Sequence, residues 1–366
     1  MQHHLHSKES RNFAKAISAL TEDEAENLLS RSRWDSDTKQ MCPKCGSFRR
    51  HYRRAKRRQW RCADCTRVFS VTSGTALHGH KLTFCQIVSL VLIFESGAKG
   101  TALLLAARLK GFAPKTIQAN FGKLREMLVK NMDFRTLRGI VHMDGIYLGG
   151  KPRKPNRRMK MPKDAIKVRF GKKKPDNPDK PWISAGMTRK NWEKRKNRRV
   201  VISLCESAGH GHGSRRVMAF VCKSENETDI MRAATRFIEP GSIVMTDESP
   251  AYFRLSSRFE HESVQHAKEF SRSDGVNNNL SEAWNSRVRR HEYGVSHGFR
   301  PKYLQDYMCE LVWRENFRKH SQKDRVENLL QGLLLCGKSN WWRGYWQRKH
   351  RQGEIGLDYF FRNSIA

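Results

Sequence analysis

The pattern of apolar and polar positions predicts helices throughout the first third of the chain. Thr21 followed by Glu24 has the form of a capping box, so one short helix is expected within residues 1–40. Apolar residues at helical spacing then predict three helices, over residues 82–95, 101–110 and 115–130. The break between the first two is rich in glycine, and Pro114 follows the second.

The second half of the chain mixes strand-like and helix-like patterns. Two β-branched runs end in Asp144 and Asp247, and further strands are expected over residues 200–204, 217–221 and 263–266. Helical patterns occupy residues 227–239, 252–258, 301–320 and 324–335, and another helix begins close to Glu282. This element order is that of an α/β ribonuclease-H-like core, a mixed sheet flanked by helices.

The charge of the chain points to a polyanionic partner. The 366 residues contain 71 Lys and Arg against 36 Asp and Glu, a net charge of +35. Neutralising phosphates releases counterions, so we expect salt-dependent binding to nucleic acid. An anionic membrane surface is the alternative, but the charge is spread through globular sequence rather than along one amphipathic helix. The longest apolar run, residues 82–94, is too short to span a bilayer.

Four of the nine cysteines form a metal-binding pattern. Cys42, Cys45, Cys62 and Cys65 have the spacing C-x2-C-x16-C-x2-C, which predicts a zinc ribbon with one structural Zn²⁺. A redox pair is the alternative. The other five cysteines are expected to be free thiols in a reducing compartment. The segment between the two cysteine pairs is a basic hairpin candidate, and its candidate DNA contacts are Arg53, Arg54, Arg57 and Arg58.

The helices over residues 101–110 and 115–130 are separated by a tight, glycine-containing turn, which is typical of a helix-turn-helix DNA-binding region. A plain helical bundle that bridges two domains is the alternative. The residues expected to face a DNA groove are Lys115, Gln118, Asn120 and Lys123.

Three acidic residues are the candidate catalytic centre. Asp144 and Asp247 end apolar runs, and Glu282 falls in the first turns of a helix, so the three carboxylates can converge on one site. Oxygen ligands suit Mg²⁺ (or Mn²⁺), and two such ions can clamp the attacking and leaving oxygens of a phosphodiester exchange. The alternative is that each acid is an ordinary loop or cap residue. His142 shares the strand face of Asp144 and is expected to belong to the core.

Three further regions of the chain are rich in basic residues. Residues 151–199 contain 20 Lys and Arg in 49 positions and six prolines, so we expect an extended or disordered insertion that grips DNA or is simply solvated. Three arginines follow Glu282 on its helix, namely Arg287, Arg289 and Arg290. The tail over residues 321–366 carries aromatics among cations, which either stack on bases or pack on the protein.

The acidic motifs also carry a family resemblance. The spacing of 34 residues between Asp247 and Glu282 resembles that of DDE transposases, and the chain resembles insertion-sequence transposases of the IS1595 family, the ISXO2-like group. The matching pieces are Leu20-Thr-Glu-Asp-Glu-Ala, the zinc ribbon, Met143-Asp-Gly-Ile-Tyr-Leu-Gly-Gly-Lys151, Val244-Met-Thr-Asp-Glu and Trp313-Arg-Glu-Asn316. The resemblance implies that Asp144, Asp247 and Glu282 are metal ligands. It also implies that Arg289 is the basic residue that follows the glutamate in this family.

These observations lead to one expected organisation and function. We expect an N-terminal helical segment (1–40), a zinc ribbon (41–75), a helix-turn-helix-like region (81–131), a ribonuclease-H-like catalytic domain (137–320, with the insertion) and a basic tail. The expected function is a cytoplasmic, nucleoid-associated DNA transposase that binds terminal inverted repeats and target DNA as a homodimer or larger oligomer, with no membrane partner. The alternatives are a non-catalytic DNA-binding regulator and a nuclease without strand transfer.

Overall fold

The computed structural model describes residues 7–149, 198–209, 211–264, 277–349 and 351–363, together with two short paired strands, Arg169–Phe170 and Trp182–Ile183. Most of the basic insertion predicted over residues 151–199 therefore lies outside the described residues. None of the described helices is long and apolar enough to cross a membrane.

The N-terminal segment contains two helices, not the single helix predicted. Helix α1, Lys8–Ser18, precedes helix α2, Glu22–Trp34. The capping box predicted at the start of α2 is confirmed: Thr21 and Glu24 bond to each other's backbone N–H groups. The additional helix is capped by Ser7 and buries only Ser10 and Ile17, so its apolar pattern is too sparse to stand out in the sequence.

A small antiparallel sheet follows α2. Its strands are β1, Tyr52–Arg54, β2, Gln59–Arg61, and β3, Val68–Phe69, in the order β1-β2-β3. The rings of Trp34, Trp60 and Phe69 pack together with centroids 5.8 to 6.4 Å apart, which fastens α2 to this sheet.

The three helices predicted after the sheet are confirmed, with ends shifted by one or two residues. They are α3, Phe84–Ser96, α4, Leu103–Lys110, and α5, Pro114–Lys130. Gly111 ends α4 at φ +66°, a left-handed conformation that glycine adopts without a steric cost. Helix α5 is buried along most of its second half.

A five-stranded mixed sheet forms the centre of the second half. Its strands are β4, Ile140–Gly149, β7, Arg198–Ser207, β8, Ser214–Cys222, β9, Ile243–Asp247, and β10, Glu260–Val264; the two short strands noted above count as β5 and β6. Their order in the sheet is β10-β9-β4-β7-β8. Strands β4, β7 and β8 pair antiparallel, whereas β9 pairs parallel with β4 and β10 parallel with β9.

Helices cover both faces of this sheet. Helix α6, Glu227–Phe237, and a 3-10 segment, Pro250–Ser257, lie on the face that carries Val141 and Met143. Helices α7, Asn279–His291, and α8, Pro301–Asn316, cover the opposite face, which carries Ile146 and Leu148. The strand predicted over residues 263–266 is found earlier, as β10, and the predicted helix over 252–258 is the 3-10 segment.

The C-terminal residues belong to the fold. Helix α9, Gln322–Leu335, packs against α2 and α3, and helix α10, Leu357–Asn363, places the fully buried ring of Phe360 5.4 Å from Phe220 of the sheet. Trp342 is 7% exposed and lies against Gly122 of α5, where a Cβ would come within 2.2 Å of its ring. Packing therefore accounts for Trp342, whereas Trp346 is 79% exposed.

Candidate active site

The two aspartates lie on adjacent parallel strands. Strands β4 and β9 pair from Ile140 to His142, and Asp144 and Asp247 follow two residues after the last pair on their respective strands. Asp247 is the last residue of β9, as predicted, but Asp144 lies in the middle of β4. The strand continues past Asp144 because β7 still pairs with it there, with Ser203 opposite Asp144.

The two oxygens of Asp144 have separate hydrogen-bond donors. Oδ1 accepts the backbone N–H of Gly145 at 2.7 Å, and Oδ2 accepts Nδ2 of Asn285 at 2.6 Å. The pKa of Asp144 is raised to about 7. Burial is the largest cause, and the charges of Asp247, Glu225 and Glu282 contribute in that order of size. Two strands, a helix and one connecting segment therefore bring four carboxylates into one electrostatic environment.

Glu282 lies in the first turn of α7, as the sequence predicts. Its side chain is exposed, whereas Ser281, Trp284, Asn285 and Val288 of the same helix are buried against the sheet. The three predicted acids are spread more widely than a compact metal cluster. Within the described ranges, only the four zinc-ribbon cysteines form a group of three or more His, Cys, Asp or Glu whose ligand atoms all lie within 4.8 Å of one another.

Asn285 is a site residue that the sequence analysis missed. It lies three residues after Glu282, so both side chains project from nearby faces of α7. Asn285 is 7% exposed, and its Oδ1 has no hydrogen-bond partner among the described residues. The i,i+3 spacing from Glu282 was the available signal, but asparagine at that position is not informative by itself.

Glu225 is the second residue near the candidate site that the sequence did not predict. It lies between β8 and α6, and its Oε1 accepts a hydrogen bond from the hydroxyl of Tyr252 at 2.6 Å. Its carboxylate also lies against Gly145, where an added Cβ would come within 2.3 Å of Oε1. No local sequence pattern marks Glu225, since its place depends on how the chain turns after β8.

His142 belongs to the core, as expected. It is 4% exposed, and burial lowers its pKa to about 4. A neutral imidazole at this depth suits the apolar interior between β4 and α7 better than a charged one.

The four predicted zinc ligands lie together at the end of the small sheet. Sγ of Cys42 lies 3.7 Å from Sγ of Cys65, and Sγ of Cys45 lies 3.6 Å from Sγ of Cys62. Four thiolates in this arrangement are the ligand set of a tetrahedral structural Zn²⁺. The cluster supports the predicted zinc site.

Two family models match the chain. An ISXO2-like transposase domain matches residues 136–316, and a transposase zinc-ribbon domain matches residues 20–68. The chain belongs to the IS1595 family of transposases. No curated protein matches it significantly.

The arginines predicted to contact DNA from the zinc ribbon of this transposase fall into two groups. Arg53 bonds both oxygens of the buried Glu26, at 2.8 and 2.7 Å, and Arg58 pairs with Glu26 and Asp23. These ion pairs hold the ribbon against α2. Arg54 and Arg57 are exposed and leave their charges available to a partner.

The basic residues of helices α5 and α7 differ in exposure in a similar way. Lys115 is exposed at the start of α5, whereas Gln118 and Lys123 are half-buried, and burial lowers the pKa of Lys123. Arg289 and Arg290 are exposed on α7. The transposase also exposes Arg287, but this residue forms an ion pair with the buried Glu315 of α8.

Proposed function

We propose that this transposase cuts DNA at the terminal inverted repeats of an insertion sequence and joins the freed ends to target DNA. Asp144, Asp247 and Glu282 are the proposed catalytic residues. The observation that supports this most directly is the position of Asp144, whose half-buried carboxyl lies in the electric field of the other two acids. Metal-dependent polynucleotidyl transfer uses such a group of carboxylates because they hold the ions that act on the phosphodiester in both steps.

The residues present fit a pair of Mg²⁺ or Mn²⁺ ions. Carboxylate oxygens are the hard ligands that these ions prefer, and the unpartnered Oδ1 of Asn285 is a buried acceptor suited to a water of a hydrated ion. We propose that Asp144, Asp247 and Glu282 hold the ions. When bound, the ions lower the pKa of a water and stabilise charge on the attacking and leaving oxygens.

The protein's own groups position these carboxylates. Gly145 and Asn285 hold the two oxygens of Asp144 in a fixed plane, so the carboxylate cannot rotate away from Asp247. The backbone N–H of Ser249 donates to Oδ1 of Asp247 at 3.1 Å and fixes the second acid. Glu282 is exposed on a helix that starts beside the site, so its carboxylate remains accessible to bound DNA.

The sheet supports the proposal of a ribonuclease-H-like core. Three antiparallel strands are followed along the chain by a helix and a strand parallel to the first, and the two aspartates lie on these adjacent parallel strands. For DNA binding we propose the zinc ribbon through Arg54 and Arg57, with the helix-turn-helix-like α4 and α5 through Lys115. Binding two element ends at once favours a homodimer or larger assembly.

Substitution of Asp247 by Asn tests this function. The expected result is loss of transposition of a marked element in cells, while the purified variant binds end DNA as tightly as the wild type. The exposed neighbour Glu248 provides a control, and E248Q should transpose normally. Continued transposition by D247N would overturn the catalytic role. If D247N binds DNA and both it and the wild type fail to transpose, the chain acts only as a DNA-binding regulator.

A further inference from the structure

The segment after β8 brings an unpredicted acid to the site. Strand pairing places Cys222, at the end of β8, opposite Val200, which in turn lies opposite Tyr147 of β4. The chain therefore leaves β8 close to the same end of the sheet at which β9 ends in Asp247. Glu225 follows three residues after Cys222 and is half-buried there.

Gly145 makes room for the Glu225 carboxylate. An added Cβ at this position would come within 2.3 Å of Oε1, 2.7 Å of Cδ and 3.1 Å of Oε2. The whole carboxylate thus lies against the backbone of the residue next to Asp144. Any side chain other than hydrogen would displace it, so the glycine in this strand serves the approach of an acid.

A buried tyrosine fixes the position of this carboxylate. The hydroxyl of Tyr252 donates to Oε1 of Glu225 at 2.6 Å, and Tyr252 is fully buried in the 3-10 segment that follows Asp247. Burial raises the pKa of Tyr252, and the charges of Glu225, Asp144 and Asp247 contribute to the rise. The charges of all three acids therefore act on one phenol, and Glu225 is the acid that accepts its hydrogen bond.

We propose that Glu225 is a fourth carboxylate of the active site and binds one of the two divalent ions together with Asp144. This inference rests on the proposed function. Two ions that each prefer about six oxygen ligands have use for a further carboxylate. The buried, unpartnered Oδ1 of Asn285 on the other side of Asp144 is an independent sign, within the described residues, that the site takes a polar ligand. Glu225 approaches from the α6 face of the sheet, whereas Glu282 approaches from the α7 face.

The test compares Mn²⁺ binding to the zinc-loaded full chain and to four variants, by calorimetry and by electron paramagnetic resonance of free Mn²⁺. In E225Q the amide oxygen still accepts the Tyr252 hydroxyl, so the fold is kept. We expect its affinity for one of two ions to fall at least tenfold. Glu227 is a matched control two residues away, where it pairs with Arg254 on the surface, and E227Q should bind as the wild type does.

A second variant separates metal binding from a structural role. Y252F removes the hydrogen bond and keeps the carboxylate, so its loss of Mn²⁺ affinity should be smaller than that of E225Q. Thermal unfolding adds a readout that misfolding cannot imitate. Without Mn²⁺, E225Q should be at least as stable as the wild type because repulsion among the acids is relieved, and its gain in Tm on adding Mn²⁺ should be smaller.

The outcomes are distinguishable. Wild-type Mn²⁺ binding by E225Q would overturn the role of Glu225, and so would an equal loss in Y252F. D144N is measured alongside. If D144N loses ions and E225Q does not, only the role of Glu225 fails, whereas wild-type binding by D144N would mean that the proposed function itself fails.

Discussion

Asn285 of helix α7 donates a hydrogen bond from Nδ2 to Oδ2 of Asp144 on strand β4, at 2.6 Å. Both side chains are largely buried, and 141 residues separate them along the chain. This bond joins the helix that carries Glu282 to the strand that carries the first aspartate. The relative position of two proposed catalytic acids therefore depends on one carboxamide.

We expect N285A to lower metal-dependent DNA cleavage by about 10- to 100-fold, as is typical when a partner that orients a metal ligand is removed. The reason is that Asp144 loses a fixed donor and can rotate. Initial rates over a range of Mg²⁺ concentrations measure this, and the apparent Mg²⁺ requirement should rise. S286A, at the next and less buried position of α7, is the control and should cleave within about twofold of the wild type. An unchanged Mg²⁺ requirement in N285A would contradict the positioning role.

The raised pKa of Asp144 predicts how stability depends on pH. Burial and the neighbouring acids raise it to about 7, so between about pH 4 and pH 7 the native state holds this proton more tightly than the unfolded state. Stability must then fall as pH rises through this window. Removing the charge should recover up to about 4 kcal/mol of this loss.

The measurement is the Tm of zinc-loaded D144N and wild type without added Mg²⁺. We expect D144N to be more stable by several °C at pH 8 and equal to the wild type at pH 4. A difference that is the same at both pH values would show that the substitution acts through packing and not through the titration of Asp144.

Glu310 should be essential for stability because it joins α8 to helices α5 and α3. Its oxygens accept Nε of Arg125 at 2.7 Å and Nη2 of Arg314 at 2.8 Å, and Arg314 also donates to carbonyls at the end of α3. Burial by itself would raise the pKa of Glu310, but the two arginines outweigh burial and lower the pKa to about 2.

E310Q leaves two buried guanidinium groups without their carboxylate, which should cost about 3–5 kcal/mol. Denaturant unfolding at pH 7 measures the loss. E327Q is the control, since Glu327 is half-exposed and its distance to Lys323 is 4.0 Å. The stabilisation from Glu310 should be complete above about pH 4.5 and disappear as pH falls towards 2. Equal stability of E310Q and E327Q would contradict this account.

The structural zinc site leads to a prediction about metal content. We expect one Zn²⁺ per wild-type chain and none in C62S, in which a buried thiolate of the cluster is lost. The helical content should change little because all four cysteines lie outside the helices. C336S, at a cysteine outside the cluster, should keep its zinc. Metal content by mass spectrometry decides between these outcomes, and zinc retained by C62S would exclude the four-cysteine site.

The sequence predicted what local patterns encode. The cysteine spacing, the capping box at Thr21 and the apolar run that ends in Asp247 each depend on neighbouring residues, and the structure places them as expected. The strand that carries Asp144 was also predicted, but it continues past Asp144 to Gly149. The sequence did not predict Glu225 or Asn285. Their contacts to Gly145 and Asp144 arise from strand pairing and helix packing, which join distant parts of the chain.

The basic residues also divide into those whose role the sequence predicted and those whose role it did not. Net charge predicted a DNA-binding surface, but charge by itself does not reveal which arginines are used within the protein. Arg53 and Arg58 are engaged by Glu26, an acid 27 and 32 residues earlier, and Arg287 is engaged by Glu315. Only a folded chain distinguishes these residues from Arg54 and Arg57.

The most direct test of the central claim is the joining of pre-cut element ends to a plasmid in Mg²⁺. The wild-type chain should join them, and D144N, D247N and E282Q should each lose at least 100-fold in joining while binding end DNA within about twofold of the wild type. Joining by any of the three variants at close to the wild-type rate would contradict a shared site for Asp144, Asp247 and Glu282.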